Sequence, residues 1–163
     1  MSDYSLTTFG QGGELTQVSY ALKAVDNGET CLGIRAKNGV VIAAEKKITS
    51  PLIEPDTIHK VEAVNSKVGI CYSGIGPDFQ QVLLKARKDA ITYDARYRES
   101  ISPFMLCKEV AELFQEYTQS GGVRPFGLGL IACGVDVDEG PQIFQIEASG
   151  AYYSWKATAL GRG

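Results

Sequence analysis

Apolar residues recur at three- and four-residue intervals through Leu15, Val18, Leu22 and Val25, which predicts a short amphipathic helix ended by Asp26-Asn27-Gly28. The pattern then changes to unbroken apolar runs. Residues 30–36 and 40–46 flank Lys37-Asn38-Gly39, whose Asn-Gly pair tolerates the positive φ angles of a tight turn, so a β-hairpin is expected. Residues 58–64 and 68–73 bracket Asn65-Ser66-Lys67 in the same way, giving a second hairpin. Helical spacing returns at Pro77, with Phe79, Val82, Leu83, Ala86, Ala90 and Tyr93 on one stripe and Arg87, Lys88, Arg96 and Arg98 on the polar side. Ser102-Pro103 starts another helix whose buried face carries Leu106, Val110, Leu113, Phe114 and Tyr117, and Gly121-Gly122 stops it. Strands resume at 128–135, 142–147 and 151–157, with turns at 136–141 and 148–150.

Strands and helices in separate blocks argue for an α+β fold, with antiparallel sheets packed face to face and helices outside. Every position from Val40 to Ala44 is apolar, so that strand is expected to be covered on both faces. Residues 1–13 form a polar arm rich in Ser, Thr and Gly, and 14–163 read as one domain.

Composition narrows the function classes. The chain has 163 residues, 44% of them hydrophobic, and 16 Lys+Arg stand against 19 Asp+Glu for a net charge of −3. That is an ordinary globular composition with no electrostatic footprint for nucleic acid or an anionic membrane. No run approaches the roughly 18 apolar residues of a membrane span, and residues 1–13 carry no signal-peptide pattern. Cys31, Cys71, Cys107 and Cys133 each sit in an apolar run and no two are two residues apart, so buried thiols of a cytosolic or nuclear protein are expected rather than a zinc or redox motif.

Candidate chemistry is sparse. The single histidine, His59, falls in an expected strand with no nearby cysteine or serine, which suits a structural role better than a general base. Ser73-Gly74-Ile75-Gly76-Pro77-Asp78 superficially resembles a phosphate loop, but Phe79 stands at the third glycine and no Gly-Lys-Ser/Thr follows. Asp136, Asp138 and Glu139 occupy a hairpin loop, where they serve the turn, and calcium needs more ligands in register. No cofactor or metal is expected. Composition and spacing alone stop at a soluble α+β sandwich that is not an enzyme by itself.

Three segments say more. Residues 15–25 (Leu-Thr-Gln-Val-Ser-Tyr-Ala-Leu-Lys-Ala-Val), 117–127 (Tyr-Thr-Gln-Ser-Gly-Gly-Val-Arg-Pro-Phe-Gly) and 155–161 (Trp-Lys-Ala-Thr-Ala-Leu-Gly) together resemble the proteasome α-subunit family, as do Ser5–Phe9 and Tyr72–Asp78. The resemblance covers essentially the whole chain and implies an αββα sandwich of the N-terminal-nucleophile hydrolase type. It implies assembly with other α subunits into a seven-membered ring stacked on a β-ring, in the cytoplasm and nucleus, for ubiquitin-linked or independent protein degradation. Catalytic relatives use an N-terminal threonine activated by its own amine and a nearby lysine. Aligning Gly33 places Glu29 at that position, and a carboxylate cannot play the threonine's part, so the resemblance implies a non-catalytic subunit.

Further roles follow from the resemblance. Residues 1–13 match the arm that closes the axial pore. Asp3 and Tyr20 match the cluster bracing an open gate, whereas Gln11 replaces the family's turn proline and Ser2 its leading tyrosine. Lys60 matches the pocket lysine that receives the C-terminal carboxylate of regulatory-particle or activator subunits, and Gly74 the glycine lining that pocket. The alternative for Lys60 is a strand lysine paired with Glu62. Ring contacts are implied for the first helix, with Leu15 and Val18, and for residues 121–127, with Arg124, Pro125 and Phe126; serine replaces the usual glutamate at Ser19. Family members continue past 155–161 through further helices and strands, so an uncovered apolar face or open strand edges are expected. Rival readings are a threonine-type hydrolase processed at Thr30 and a free-standing interaction module on the same sandwich.

Overall fold

In the computed structural model, which describes residues 9–163, the first helix is α1 (Thr16–Asp26). The first hairpin follows as β1 (Cys31–Arg35) and β2 (Val40–Ala44), paired so that Arg35 faces Val40 across the turn. The second hairpin is shorter than expected on its first arm: β3 spans only Val61–Ala63, and β4 spans Val68–Gly74. A 3-10 turn at Pro55–Thr57 and an irregular link occupy the residues before β3, so His59 and Lys60 lie outside any strand. Proline in that turn sets φ and removes a ladder donor, which delays pairing.

Helix α2 (Gly76–Tyr97) and helix α3 (Pro103–Gln119) are where the periodicity places them. The stripe Phe79, Val82, Leu83, Ala86 and Ala90 is buried, and Ser102 caps α3 by accepting from the Met105 N–H. Strands β5 (Leu128–Asp136) and β6 (Gly140–Ile146) form a long hairpin. The expected strand at 151–157 is in fact two. β7 (Tyr152–Ser154) pairs with β6, and β8 (Ala157–Leu160) pairs with β1 in the other sheet. The chain changes sheets at Trp155-Lys156, where the Trp155 N–H still donates to Ile143 and the Lys156 carbonyl already accepts from Arg35. Apolar alternation runs straight through such a crossing, so the sequence pattern does not reveal it.

Five strands in the order β3-β4-β5-β6-β7 thus make one antiparallel sheet, and three in the order β2-β1-β8 make the other. The central strands of the larger sheet, β4 to β6, are buried on both faces. Toward α2 and α3 it presents Val68, Ile70, Tyr72, Leu128, Leu130, Ala132, Phe144 and Ile146, packed with Phe79, Leu106, Val110 and Phe114. Toward the smaller sheet it presents Cys71, Ile131, Cys133 and Ile143, packed with Cys31 and with Val40, Ile42, Ala44 and Leu160. All four thiols are free and buried, and burial pushes Cys107 up to about 12 and Cys133 to about 11.

The fold is therefore α+β, two antiparallel sheets face to face, with helical cover over the larger sheet. On the smaller sheet's outer face the described residues place no helix. The expectation that residues 40–44 are covered on both sides is not met: Val41 is 62% exposed and Ile34, its cross-strand neighbour, 51%. Leu32, Ala43, Ala157 and Ala159 share that face, so six apolar side chains form a continuous exposed patch. Replacing Ile34 and Val41 together by Thr should lower the light-scattering mass of the isolated chain at high concentration. Stability should change by no more than about 1 kcal/mol, because both positions face solvent; unchanged association would show that another surface is responsible.

Candidate functional site

Four segments converge at one end of the sandwich: the end of α1, the end of β4, the start of α2 and the start of β5. The Ser73 hydroxyl donates to the Val25 carbonyl at 2.8 Å, and the Ile75 N–H donates to the Gly127 carbonyl at 2.9 Å. These links bring backbones too close for side chains. A β-carbon at Gly74 would lie 2.1 Å from the Gly127 oxygen, and its φ of +110° is one that L residues rarely adopt. A β-carbon at Gly28 would lie 2.4 Å from the Gly74 nitrogen. Gly74, singled out from the sequence as a pocket glycine, is thus required by close backbone approach.

Asp78 fastens this junction. It sits in the first turn of α2, where a carboxylate suits the helix N-terminus, and is almost fully buried. Arg124 grips it with two parallel bonds, each 2.7 Å, and the Gly127 N–H adds a third at 3.0 Å. Burial acts to raise the Asp78 carboxyl, but the Arg124 bonds and the Gly127 N–H outweigh it and hold the group below its ordinary value. The fork of Arg124, expected to reach a neighbouring subunit, is thus occupied within its own chain. Pro125 and Phe126 are also turned inward; Phe126 stacks on Tyr117 at 4.4 Å between ring centres. What the loop leaves at the surface is Gly121, Gly122 and the flank of Arg124.

On one side of the junction, Tyr20, Ala24, Ile75, Arg124 and Pro125 line an open cleft of about 210 Å³. Tyr20 is 54% exposed, while Leu15 and Val18 are half-buried at the start of α1. Gln11 is exposed in a tight turn closed by the Gly13 N–H to Gly10 and the Gly10 N–H to Glu14, so a turn forms there without proline. Asp3 lies outside the described residues, as do residues 1–8 of the arm. Ser19 donates to Glu14 at 3.4 Å.

Lys60 is held elsewhere in the same region. Its side chain is only 4% exposed, with Nζ 3.4 Å from a Glu29 carboxylate oxygen and 3.9 Å from the centre of the Tyr72 ring. The Glu62 alternative does not hold, because Glu62 pairs with His59 Nδ1 at 2.9 Å and with Arg87 at 2.7 Å. Glu29 precedes β1, and its own backbone N–H, the strongest influence, holds its carboxyl below the ordinary value; burial opposes this, and Lys60 and then Lys47 add to the lowering. Burial, with the nearby Glu29 charge, pushes the Tyr72 phenol up. Thr30, beside Glu29, donates its hydroxyl to the Arg162 carbonyl at 2.7 Å.

Sequence reasoning missed Asp78 and Tyr72 as site residues. Asp78 carried one legible signal, an acid three residues into a helix that no side chain caps. Tyr72 carried none, since an aromatic in a buried strand reads as core. Asp136 behaves as expected, accepting from the Asp138 and Glu139 N–H groups to close its turn. Among the described residues no group of three or more His, Cys, Asp or Glu is placed to hold a metal, and no helix is long and apolar enough to cross a membrane.

Residues 25–163 match the Proteasome family, whose members are proteasome subunits. The sequence is 49% identical over 159 residues to the proteasome subunit alpha type-2 of Oryza sativa subsp. japonica, covering 98% of this chain and 67% of the relative. It is 52% identical over 159 residues to the Drosophila melanogaster protein of the same name, covering 98% and 68%. To that of Trypanosoma brucei brucei it is 48% identical over 162 residues, covering 99% and 70%. The chain therefore spans about two thirds of the length of these relatives.

Because the Asp78 carboxyl is depressed in the folded chain, its stabilisation is complete above the unfolded value of about 3.9 and is lost as pH falls through the lower folded value. Asp78→Asn should cost about 2 kcal/mol in urea unfolding at pH 7, with the gap to the parent narrowing toward pH 3. A gap independent of pH would show that the Arg124 grip contributes nothing.

Proposed function

The chain belongs to the proteasome subunit family, and from that premise we propose that it is a non-catalytic α-ring subunit of the 20S core particle. It stands in a seven-membered ring against a β-ring, in the cytoplasm and nucleus, and serves ubiquitin-linked and independent protein degradation. The observation that carries the non-catalytic reading is the Glu29–Lys60 pair. At the position expected for a nucleophile stands a carboxylate, which has no hydroxyl to activate, and the neighbouring lysine is engaged as its counter-ion. The Thr30 hydroxyl, committed to the Arg162 carbonyl, is drawn into the chain's own backbone.

Three working surfaces follow. The arm 1–13 leaves α1 through the tight turn at Gln11 and, with its neighbours, narrows the pore; the exposed Tyr20 face of α1 supports it. Lys60, with Gly74 close to the same junction, receives the C-terminal carboxylate of an activator subunit. A fixed cation in a shielded place is what capture of a terminal carboxylate requires. The ring contacts use α1 and the surface of the 121–127 loop, which the Asp78–Arg124 grip holds in shape.

Deleting residues 2–11 should raise basal peptide hydrolysis by the purified assembly severalfold; an unchanged rate removes the gating role. Lys60→Met keeps the apolar stem over Tyr72 but removes the charge. It should reduce activator-stimulated hydrolysis while leaving ring assembly intact, and full stimulation would remove the pocket assignment.

A further inference from the structure

A cation as deeply placed as Lys60 is costly unless a counter-charge accompanies it. In the resting chain that charge is Glu29, with the Tyr72 ring face as second support. We propose that Glu29 is a built-in occupant of the Lys60 site, a carboxylate that an incoming peptide C-terminus must displace before its own carboxylate can bind. The proposal rests on the reading of Lys60 as a carboxylate-capture site and names what regulates it.

Two features make Glu29 a movable occupant rather than a fixed structural partner. It lies in the irregular link between α1 and β1, outside both helix and strand. Its side chain is 36% exposed while that of Lys60 is 4% exposed, so the anion is the outer member of the pair and the cation the inner one. By contrast, Asp78, the other buried anion of this end, is held by Arg124 twice and by the Gly127 N–H, and has no such freedom.

Displacement has a definite chemical sense. The ligand offers the same group that Glu29 offers, so exchange trades one carboxylate–ammonium contact for another and gains little from Lys60 alone. Net affinity must then come from the rest of the peptide, and this pocket selects for ligands with further contacts. With Glu29 in place, the apparent affinity falls by the fraction of time the lysine is free.

The test uses the assembled particle purified from cells carrying the variant subunit. The probe is the last eight residues of an activator subunit, fitted with a benzophenone and prepared as free acid and as carboxamide. Photolabelling of this subunit against probe concentration gives the half-saturation point for this pocket alone. Glu29→Gln should lower the free-acid half-saturation by about fivefold, the factor for an occupant present about 80% of the time. The carboxamide should bind weakly and respond little. Glu29→Ala should act in the same direction, which guards against an effect peculiar to glutamine. Unchanged or weaker labelling in both Glu29 variants, with labelling lost in Lys60→Met, overturns the occupant and leaves the pocket standing. Full labelling of Lys60→Met overturns the pocket itself, and the occupant with it.

Discussion

Everything at the working end of this molecule depends on how closely the chain approaches itself at Gly74. Gly28, Ser73 and Gly127 come together there, and no β-carbon fits at Gly74 or Gly28. The contact is sealed by two hydrogen bonds, Ser73 to Val25 and Ile75 to Gly127, and by the forked grip of Arg124 on Asp78. It fixes α1 across the end of the sheets, aims α2 away from β4 and sets the loop that opens β5. The Tyr20 cleft and the Lys60–Glu29 pair are consequences of that arrangement rather than independent constructions. A bidentate ionic grip suits the task because it fixes orientation as well as distance.

Much of the architecture was legible because local signals agreed. Pro77 and Ser102-Pro103 open their helices, Asn38-Gly39 turns the first hairpin, and the stripes on α2 and α3 are the faces that bury. The failures have physical causes. The crossing at Trp155-Lys156 preserves alternation, so one pattern hid two strands in two sheets. Residues 58–60 look like strand by side-chain type, yet the turn at Pro55–Thr57 carries them in before pairing begins. Val41 is apolar without being covered among the described residues, because composition registers what a face is made of and not what lies upon it.

The site was legible in its residues and not in its partners. Lys60 and Gly74 were marked by resemblance, but the spacing that suggested Glu62 as counter-ion misled, since Lys60 lies just before β3 and not within it. Glu29 lies 31 positions away and only the meeting of two irregular links joins it to Lys60. Arg124 likewise found an acid 46 positions distant within its own chain. Ion pairs of such separation leave no periodic trace.

The crossing between sheets has a further consequence, for the order in which the molecule can be made. Strand β1 is synthesised well before its second neighbour, β8, and Thr30 and Arg162 meet across a separation of 132 positions. Closing so long a loop is entropically slow, and sheets built on distant pairings have high contact order. Until β8 arrives, the β1–β2 hairpin is a two-stranded ribbon with an open side and two apolar faces, a species marginal in water on its own. On the ribosome, therefore, the helices and strands β3 to β6 have the means to form before the smaller sheet is complete. In the interval the open hairpin is a sticky part of the nascent chain that a holding chaperone would grasp.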